Sequence, residues 1–358
     1  MEGTESHALP DPEPSQEPRG RTPDLDAMKQ GRRYLLITPA RNEAEFAQRT
    51  LDSVANQSIP PAKWVIVDDG STDATPQLLA EFAAAHDWVE IVTRTDRGAR
   101  SVGPGVIEAF YEGLDRCDLD QFDYVCKLDL DLDLPEAYFE GLMRKMEHDP
   151  RLGTCSGKAW YEDPAGGGLL MELIGDEMSV GASKFFRTTC FRQIGGFARQ
   201  VMWDGIDCHR CRMNGWKVRS FRDEDLKFLH LRPMGSSHKG ILHGRARHGR
   251  GQWLMGTGLV YMLVSVGYRV FSRPLLIGAA ATLWGYLAAC VTRPPRTVNR
   301  EFRRFLHRYQ WRALRRGKLR AAESIEAEMS SVWDPRRAAV PHAPATTGAC
   351  SGVAAGVS

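Results

Sequence analysis

A strong charge of either sign is missing from this chain. Lysine and arginine number 47 against 45 aspartates and glutamates, a formal net of +2 over 358 residues. Nucleic acid is therefore not among the expected partners. Cysteine is scarce and unpatterned, with eight thiols scattered along the chain. That excludes a disulfide framework and fits reduced thiols in the cytosol. Cys208 and Cys211 make one "CHRC" pair, but no second pair stands at similar spacing, so a structural zinc site is not expected. No apolar run follows the first methionine, so a secretory signal is not expected. Glycine is absent from "TPARNEAEF", Thr38–Phe46, which counts against a sugar nucleotidyltransferase with a glycine-rich triphosphate loop.

What is present is unevenly distributed. Acids are rich before about residue 150, and arginine crowds the region after about residue 240. Residues 1–30, with Pro10, Pro12, Pro14, Pro18 and Pro23 among polar neighbours, have little to bury and read as a disordered tail. The last segment, 326–358, is assigned to a second tail, small and low in complexity from about Ala338.

From Arg33 the pattern alternates strand and helix. "YLLITPA", "WVIVDDG", "VEIVTR" and "YVCKLDLD" are apolar β runs. Between them, "EAEFAQRTLDSVANQ", "STDATPQLLAEFAAAH" (capped by Ser71 or Thr72) and "GPGVIEAFYEGLDRC" have helical spacing. This order predicts an α/β fold with a mostly parallel, Rossmann-like sheet and helices on both faces. Ligands of such sheets sit at the carboxyl ends of the strands. Pro39 to Glu43, Asp68 to Gly70 and Asp129 to Asp133 fall there. Residues 31–150 form the first half. Residues 151–240, with shorter strands and one helix at about Asp204–Asn214, form a second half on the same sheet.

"KLDLDLDLP", Lys127–Pro135, alternates leucine with Lys127, Asp129, Asp131 and Asp133. The alternation reads as a strand with an acidic face, although like charges on one face repel. Carboxylates clustered without matching cations raise one another's pKa. A divalent ion resolves this, and Mg²⁺ or Mn²⁺ takes oxygen ligands while leaving room for phosphates. An acidic pocket with such an ion points to a diphosphate ligand.

"TPARNEAE", "VIVDDGSTD", the Asp129–Asp131 "DLD" and "WDGIDCHRCRMNGW" follow one another in order. Together they resemble the family 2 glycosyltransferases, inverting nucleotide-sugar enzymes of the GT-A fold, over about residues 33–235. The resemblance implies that Pro39, Arg41 and Glu43 line the base and ribose pocket. Val67 and Asp69 would read the uracil or guanine edge. Asp129 would face the ribose and donor sugar, beside Leu130, which is bulkier than the family's usual small residue. Asp131 would bind the metal, and His230 in "FLHLRP" is a candidate further ligand. Asp133 would be a rim residue or cap where Pro135 starts a helix. The family's base is an acid eleven residues before glycine and an aromatic. Asp204 stands so before Gly215-Trp216, with Asp207 one turn on as the reserve. "GASKFFRTTCFRQIGGF" resembles the floor of the acceptor site. The Gly-Arg run "HGRARHGRGQW" reads as a loop that brings Arg250 to the donor diphosphate. It lacks the Gln-x-x-Arg-Trp of processive members.

Two uncharged runs, Gly251–Tyr268 and Leu275–Thr292, have eighteen residues each, at the lower limit for crossing a bilayer. The turn between them and both outer flanks are basic, so a spanning hairpin would break the positive-inside rule. A re-entrant or interfacial hairpin, or a buried helix pair, fits better. "EFRRFLHRYQWRALRRGKLR" is a basic amphipathic pattern suited to anionic lipid. Residues 241–325 are thus expected to be a hydrophobic and basic helical extension. The sequence as a whole predicts a transferase peripheral on the cytosolic membrane face. It would use a UDP- or GDP-sugar and a hydroxyl acceptor, polyprenyl-linked in one reading, in polysaccharide or glycoconjugate synthesis. The competing reading is a non-catalytic, membrane-associated binding protein with the same fold.

Overall fold

A computed structural model describes residues 31–94, 104–163, 166–232, 241–270 and 276–338. The N-terminal tail lies outside these residues, as does the chain after residue 338. The strands are β1 (Tyr34–Ala40), β2 (Lys63–Asp68), β3 (Val89–Thr93), β4 (Tyr124–Leu128), β5 (Leu132–Asp133), β6 (Leu152–Ser156), β7 (Ala159–Glu162), β8 (Leu169–Met171), β9 (Ser183–Arg187), β10 (Lys217–Ser220) and β11 (Phe228–His230). The helices are α1 (Ala47–Ala55), α2 (Thr75–Ala85), α3 (Pro104–Leu114), α4 (Tyr138–His148), α5 (Thr188–Gln193), α6 (Trp203–Met213), α7 (Ile241–Met255), α8 (Leu259–Arg269), α9 (Ile277–Thr292), α10 (Arg300–Arg316) and α11 (Lys318–Glu328).

The main sheet has seven strands in the order β10-β6-β9-β4-β1-β2-β3. β3, β2, β1 and β4 are parallel, and β9 runs antiparallel between β4 and β6. Strands covered on both faces must be apolar throughout, and β1 and β2 are buried almost end to end. Their side chains divide by the two-residue period. Leu35, Ile37, Val65 and Val67 join the layer containing α3 residues, and Tyr34, Leu36, Trp64 and Ile66 join the layer containing α1 and α4 residues. A second sheet, β5-β11-β7-β8, stands beside the first.

"KLDLDLDLP" is not one strand. β4 stops at Leu128, and Leu132–Asp133 belongs to the second sheet, antiparallel to β11. Leu128, Leu130, Leu132 and Leu134 are nevertheless all buried, so burial alternates as expected while the backbone changes sheets. The backbone groups freed at the break are reused. Asp129 N–H donates to Ala182 O at 2.8 Å, and Leu231 N–H donates to Asp131 O at 2.8 Å. Two boundaries also shift. α2 begins after Ala74, not at Ser71 or Thr72, and α4 begins after Ala137, not at Pro135.

The Gly-Arg run expected to be a mobile loop is part of α7. Its glycines lower helix propensity but permit close contact with α9. A methyl on Gly249 would lie 1.8 Å from Thr282 O, and one on Gly285 would lie 1.9 Å from Ala246 O. The first uncharged run breaks at Gly256–Gly258, between α7 and α8. Among the described residues, no helix is long and apolar enough to cross a membrane.

α10 and α11 pack on α6. His209 meets the Phe302, Phe305 and Tyr309 rings, and Glu326 pairs with Arg212 at 3.0 Å and Arg219 at 2.7 Å. Trp333 packs edge-on against Trp216 at 5.7 Å. Residues 326–338, assigned above to the tail, thus belong to the folded body.

Gly249→Ala should destabilise the protein by about 1–3 kcal/mol in urea unfolding, because the added methyl meets backbone. Gly244, with nothing within 4 Å of its would-be methyl, is the control. Gly244→Ala should stabilise by about 0.5–1 kcal/mol. Equal effects of the two would show that α7 and α9 do not cross as closely as described.

Candidate active site

The carboxyl ends of β1, β2 and β4 open on one crevice. The first two motifs are laced together there. Asn42, at φ 53°, uses the left-handed region that asparagine tolerates. Its N–H donates to Ser71 Oγ at 2.9 Å, and its side chain accepts from Thr72 N–H at 2.7 Å. Glu43 N–H donates to Thr75 Oγ1, and Ala44 N–H donates to Asp73 Oδ2. The "STD" residues therefore serve the neighbouring loop as well as the approach to α2. Arg41 donates to Asp69 O at 2.5 Å, and the Asp69 carboxylate pairs with Arg94 at 2.8 Å. Pro39 sits half-buried opposite Val67 in the β1–β2 register. The Val67 side chain is fully buried in the core, which leaves only its backbone groups to meet a base. Leu130 is likewise a core residue and offers no side-chain donor contact.

The aspartates of the "DLD" turn have different partners. Asp129 pairs with Lys127, whose ammonium also donates to Gly181 O at 3.0 Å. Burial, opposed by Lys127 and reinforced by the charge of Asp131, pushes Asp129 up. Asp131 is buried, with Oδ2 lying 2.8 Å from Arg232 and 3.5 Å from His230 Nε2. Against the penalty of burial, hydrogen bonds from His230 and Arg232 hold Asp131 below the ordinary carboxylate range. The other nitrogen of His230, Nδ1, lies 2.8 Å from Glu172. Despite its burial, Asp131 and Glu172 push His230 up to about 10. Arg232 also reaches Glu43 at 3.0 Å. Asp133 is outside this set and pairs with Arg49 at 2.8 Å.

Every one of the clustered acids Glu43, Asp69, Asp129, Asp131 and Glu172 therefore faces a cation of the protein. The premise that these carboxylates lack matching cations is not met. Asp131 Oδ2 and His230 Nε2 lie close enough to share a divalent ion, but only once His230 gives up the proton that Asp131 and Glu172 favour, since a protonated imidazole has no lone pair to offer a metal. Among the described residues, no group of three or more His, Cys, Asp or Glu forms a metal cage. Such a site offers two protein ligands and leaves the remaining positions to phosphate or water, as Mg²⁺ and Mn²⁺ allow.

The two candidate bases lie in different surroundings. Asp207 is fully buried, with Oδ1 2.5 Å from Lys184 Nζ. Burial pushes it up to about 6 in spite of the lysine. Asp204, in the first turn of α6, is half-buried and borders Gly181, where a methyl would lie 3.5 Å from its Oδ2. Trp203 packs under both lysines, 5.4 Å from Lys127 Nζ and 5.5 Å from Lys184 Nζ. Arg250 is exposed on α7 and takes part in none of these contacts.

Lys127, Glu172, Lys184 and Arg232 escaped the sequence reading as site residues. A weak signal exists for the lysines, since Lys127 is the single charge in "YVCKL" and Lys184 stands next to the two phenylalanines of "SKFFR", whose other charge, Arg187, is at the strand end. Such a charge demands a partner. Arg232 stands two residues beyond His230, and nothing in its spacing ties it to Asp131 or Glu43.

The chain is similar to known proteins over part of its length. Residues 35–201 match the family model described as "Glycosyl transferase family 2". Poly-beta-1,6-N-acetyl-D-glucosamine synthase of Staphylococcus epidermidis is 30% identical over 117 residues, 32% of this chain and 26% of that protein. Glycosyltransferase AglE of Haloferax volcanii is 35% identical over 88 residues, 22% of this chain and 29% of that protein. The chain thus spans about a quarter of the length of these curated relatives. Among solved structures, GalNAc-T7 with UDP, GalNAc and Mn²⁺ superposes with a TM-score of 0.51 at 13% identity, covering 81% of this chain and 59% of that one. The sheet is of the GT-A type, and the domain at residues 35–201 belongs to glycosyl transferase family 2.

Proposed function

We propose that this chain transfers a sugar from a nucleoside-diphosphate sugar to a hydroxyl acceptor, with inversion at the anomeric carbon. The observation that carries the reading is the seam at Gly181–Ala182. On one side it holds the Asp129–Asp131 turn through Asp129 N–H and Lys127 Nζ, and on the other it borders Asp204. An acid on the acceptor helix is thereby placed next to the donor turn.

Asp204 accepts the proton of the acceptor hydroxyl. The oxygen forms its bond to the anomeric carbon as the bond to the diphosphate breaks, and the electron pair leaves on the phosphate. Asp207 is unsuited to this role. Its carboxylate is shut away from solvent and is already spent on Lys184, which would otherwise be a buried, unpaired charge. Pro39, Arg41, Glu43 and Asp69 shape the nucleoside end of the crevice. A Mg²⁺ or Mn²⁺ ion would be held by Asp131 and His230 and would supply Lewis-acid charge for the leaving diphosphate. Arg232, already between Asp131 and Glu43, keeps that corner neutral before donor arrives and lies within the region where phosphate charge would accumulate. The GalNAc-T7 structure with UDP and Mn²⁺ supports a nucleotide donor with a metal. The synthase relatives support a role in polysaccharide assembly, with a lipid-linked acceptor as the specific form proposed.

Thermal-shift titration of UDP- and GDP-sugars with Mn²⁺ should stabilise the protein by about 2.7 kcal/mol at a hundredfold excess over Kd. Asp131→Asn should lose most of that gain, and an undiminished shift in the variant would remove Asp131 from the metal site.

Asp204→Asn should lower turnover by about 10²–10⁴-fold while leaving donor-induced stabilisation and urea stability intact. Asp207→Ala should instead cost about 3–5 kcal/mol of stability, because it strands the Lys184 ammonium. Near-normal transfer by Asp204→Asn would remove it from the role of base.

A further inference from the structure

The outward faces of α8 and α9 have the wrong polarity for water. Every exposed position of α8 is apolar or glycine, including Leu263 and Val264, each about half exposed, and Tyr268, 86% exposed. α9 repeats the pattern at Trp284 (71% exposed), Leu287 and Val291 (83% exposed). Positions 284, 287 and 291 follow helical spacing and form one stripe. The inward faces are also apolar, sharing a small core of Trp253, Met262, Val266 and Tyr286. A helix that is apolar all round belongs inside something. Neither helix spans a bilayer. At 1.5 Å per residue, the 11 residues of α8 reach about 16 Å and the 16 of α9 about 24 Å, against a hydrocarbon core of about 30 Å.

Charge identifies the occupant. From residue 241 to 316 the sequence has fourteen arginines, no lysine and a single acid, Glu301. α10 adds a stripe at i, i+3, i+4 and i+7, where Arg308, Trp311, Arg312 and Arg315 line one open groove. Arg308 and Arg312 share Glu328, and the Trp311 ring is half exposed. Arginine flanking exposed tryptophan and leucine is the composition of a helix lying in the headgroup layer. A second copy of this face would bring two strongly cationic surfaces together, which opposes self-association.

We propose that α8, α9 and the outer face of α10 form a docking surface for an anionic lipid bilayer. Their apolar side chains enter the acyl boundary, and their arginines engage headgroup phosphates. The surface holds the protein peripherally, on the membrane rather than across it. The inference does not depend on the glycosyl-transfer reading, because binding is measured without donor or acceptor.

The test is flotation of the full chain with vesicles of phosphatidylcholine, alone or mixed with phosphatidylglycerol. Binding to the anionic vesicles should be at least about tenfold stronger and should weaken as salt is raised. The tryptophan emission should shift to the blue. Val264→Glu with Trp284→Glu should reduce binding about tenfold or more, while the thermal midpoint of the protein is kept. Wild-type protein that stays free of anionic vesicles would overturn the proposal, as would a double variant that floats equally well. A wild-type dimer that the same substitutions convert to monomer, without flotation, would assign the face to a second copy instead.

Discussion

Two lysines face each other across the middle of the main sheet. Lys127 on β4 and Lys184 on β9 are register partners, and neither is exposed to any extent. Two ammonium ions placed so would repel and would both be desolvated, at a cost of several kcal/mol per ion without compensation. Each is therefore bound to its own acid, Lys127 to Asp129 and Lys184 to Asp207, with the Trp203 ring against both. These pairs tie the Asp129–Asp131 turn and α6 to the same two strands. The placement of Asp204 follows from this arrangement, since Lys184 also donates to its backbone carbonyl at 2.5 Å.

The rest of the crevice obeys the same rule of local neutrality. Arg94 answers Asp69, and Arg232 answers both Glu43 and Asp131, with His230 between Asp131 and Glu172. A pocket balanced in this way can persist without ligand, because the cations offset most of the repulsion among its buried carboxylates. It also sets a condition on any anionic ligand that enters: phosphate and metal must share the corner with Arg232 and His230. The acidic cluster is therefore better described as a lattice of opposite charges than as a concentration of negative charge.

The C-terminal helices continue the architecture of the domain. Glu326 on α11 accepts from Arg212 on α6 and Arg219 on β10, and Arg151 donates to its carbonyl. α7 lies close to the residue preceding α6, since a methyl on Gly251 would be 2.8 Å from Met202 Cγ. Met202 holds a positive φ of 68° there, a conformation that a long side chain adopts only when its surroundings enforce it. The helix carrying Asp204 is thus gripped at its start by α7 and along its length by α10 and α11. The apolar faces of α8 and α9 belong to that same body.

The sequence by itself determined the βαβ order, the strand ends that meet in the crevice and the motifs that name the family. These depend on local periodicity and on short spacings, which a single chain displays directly. It also singled out Asp129 and Asp131, which the structure sets in one turn, and His230, which lies 3.5 Å from Asp131. The different surroundings of Asp204 and Asp207 appear only in the tertiary structure, because both stand on one helix face and only burial against Lys184 separates them. The same holds for Val67 and Leu130, whose side chains only packing shows to be in the core. The Gly-Arg segment looks like a loop by propensity, since glycine is a poor helix former, but close contact with α9 supplies what propensity lacks. Arg232 and Glu172 could be found in no other way. Their partners lie 101 and 58 residues distant, and an ion pair leaves no periodic trace in a sequence.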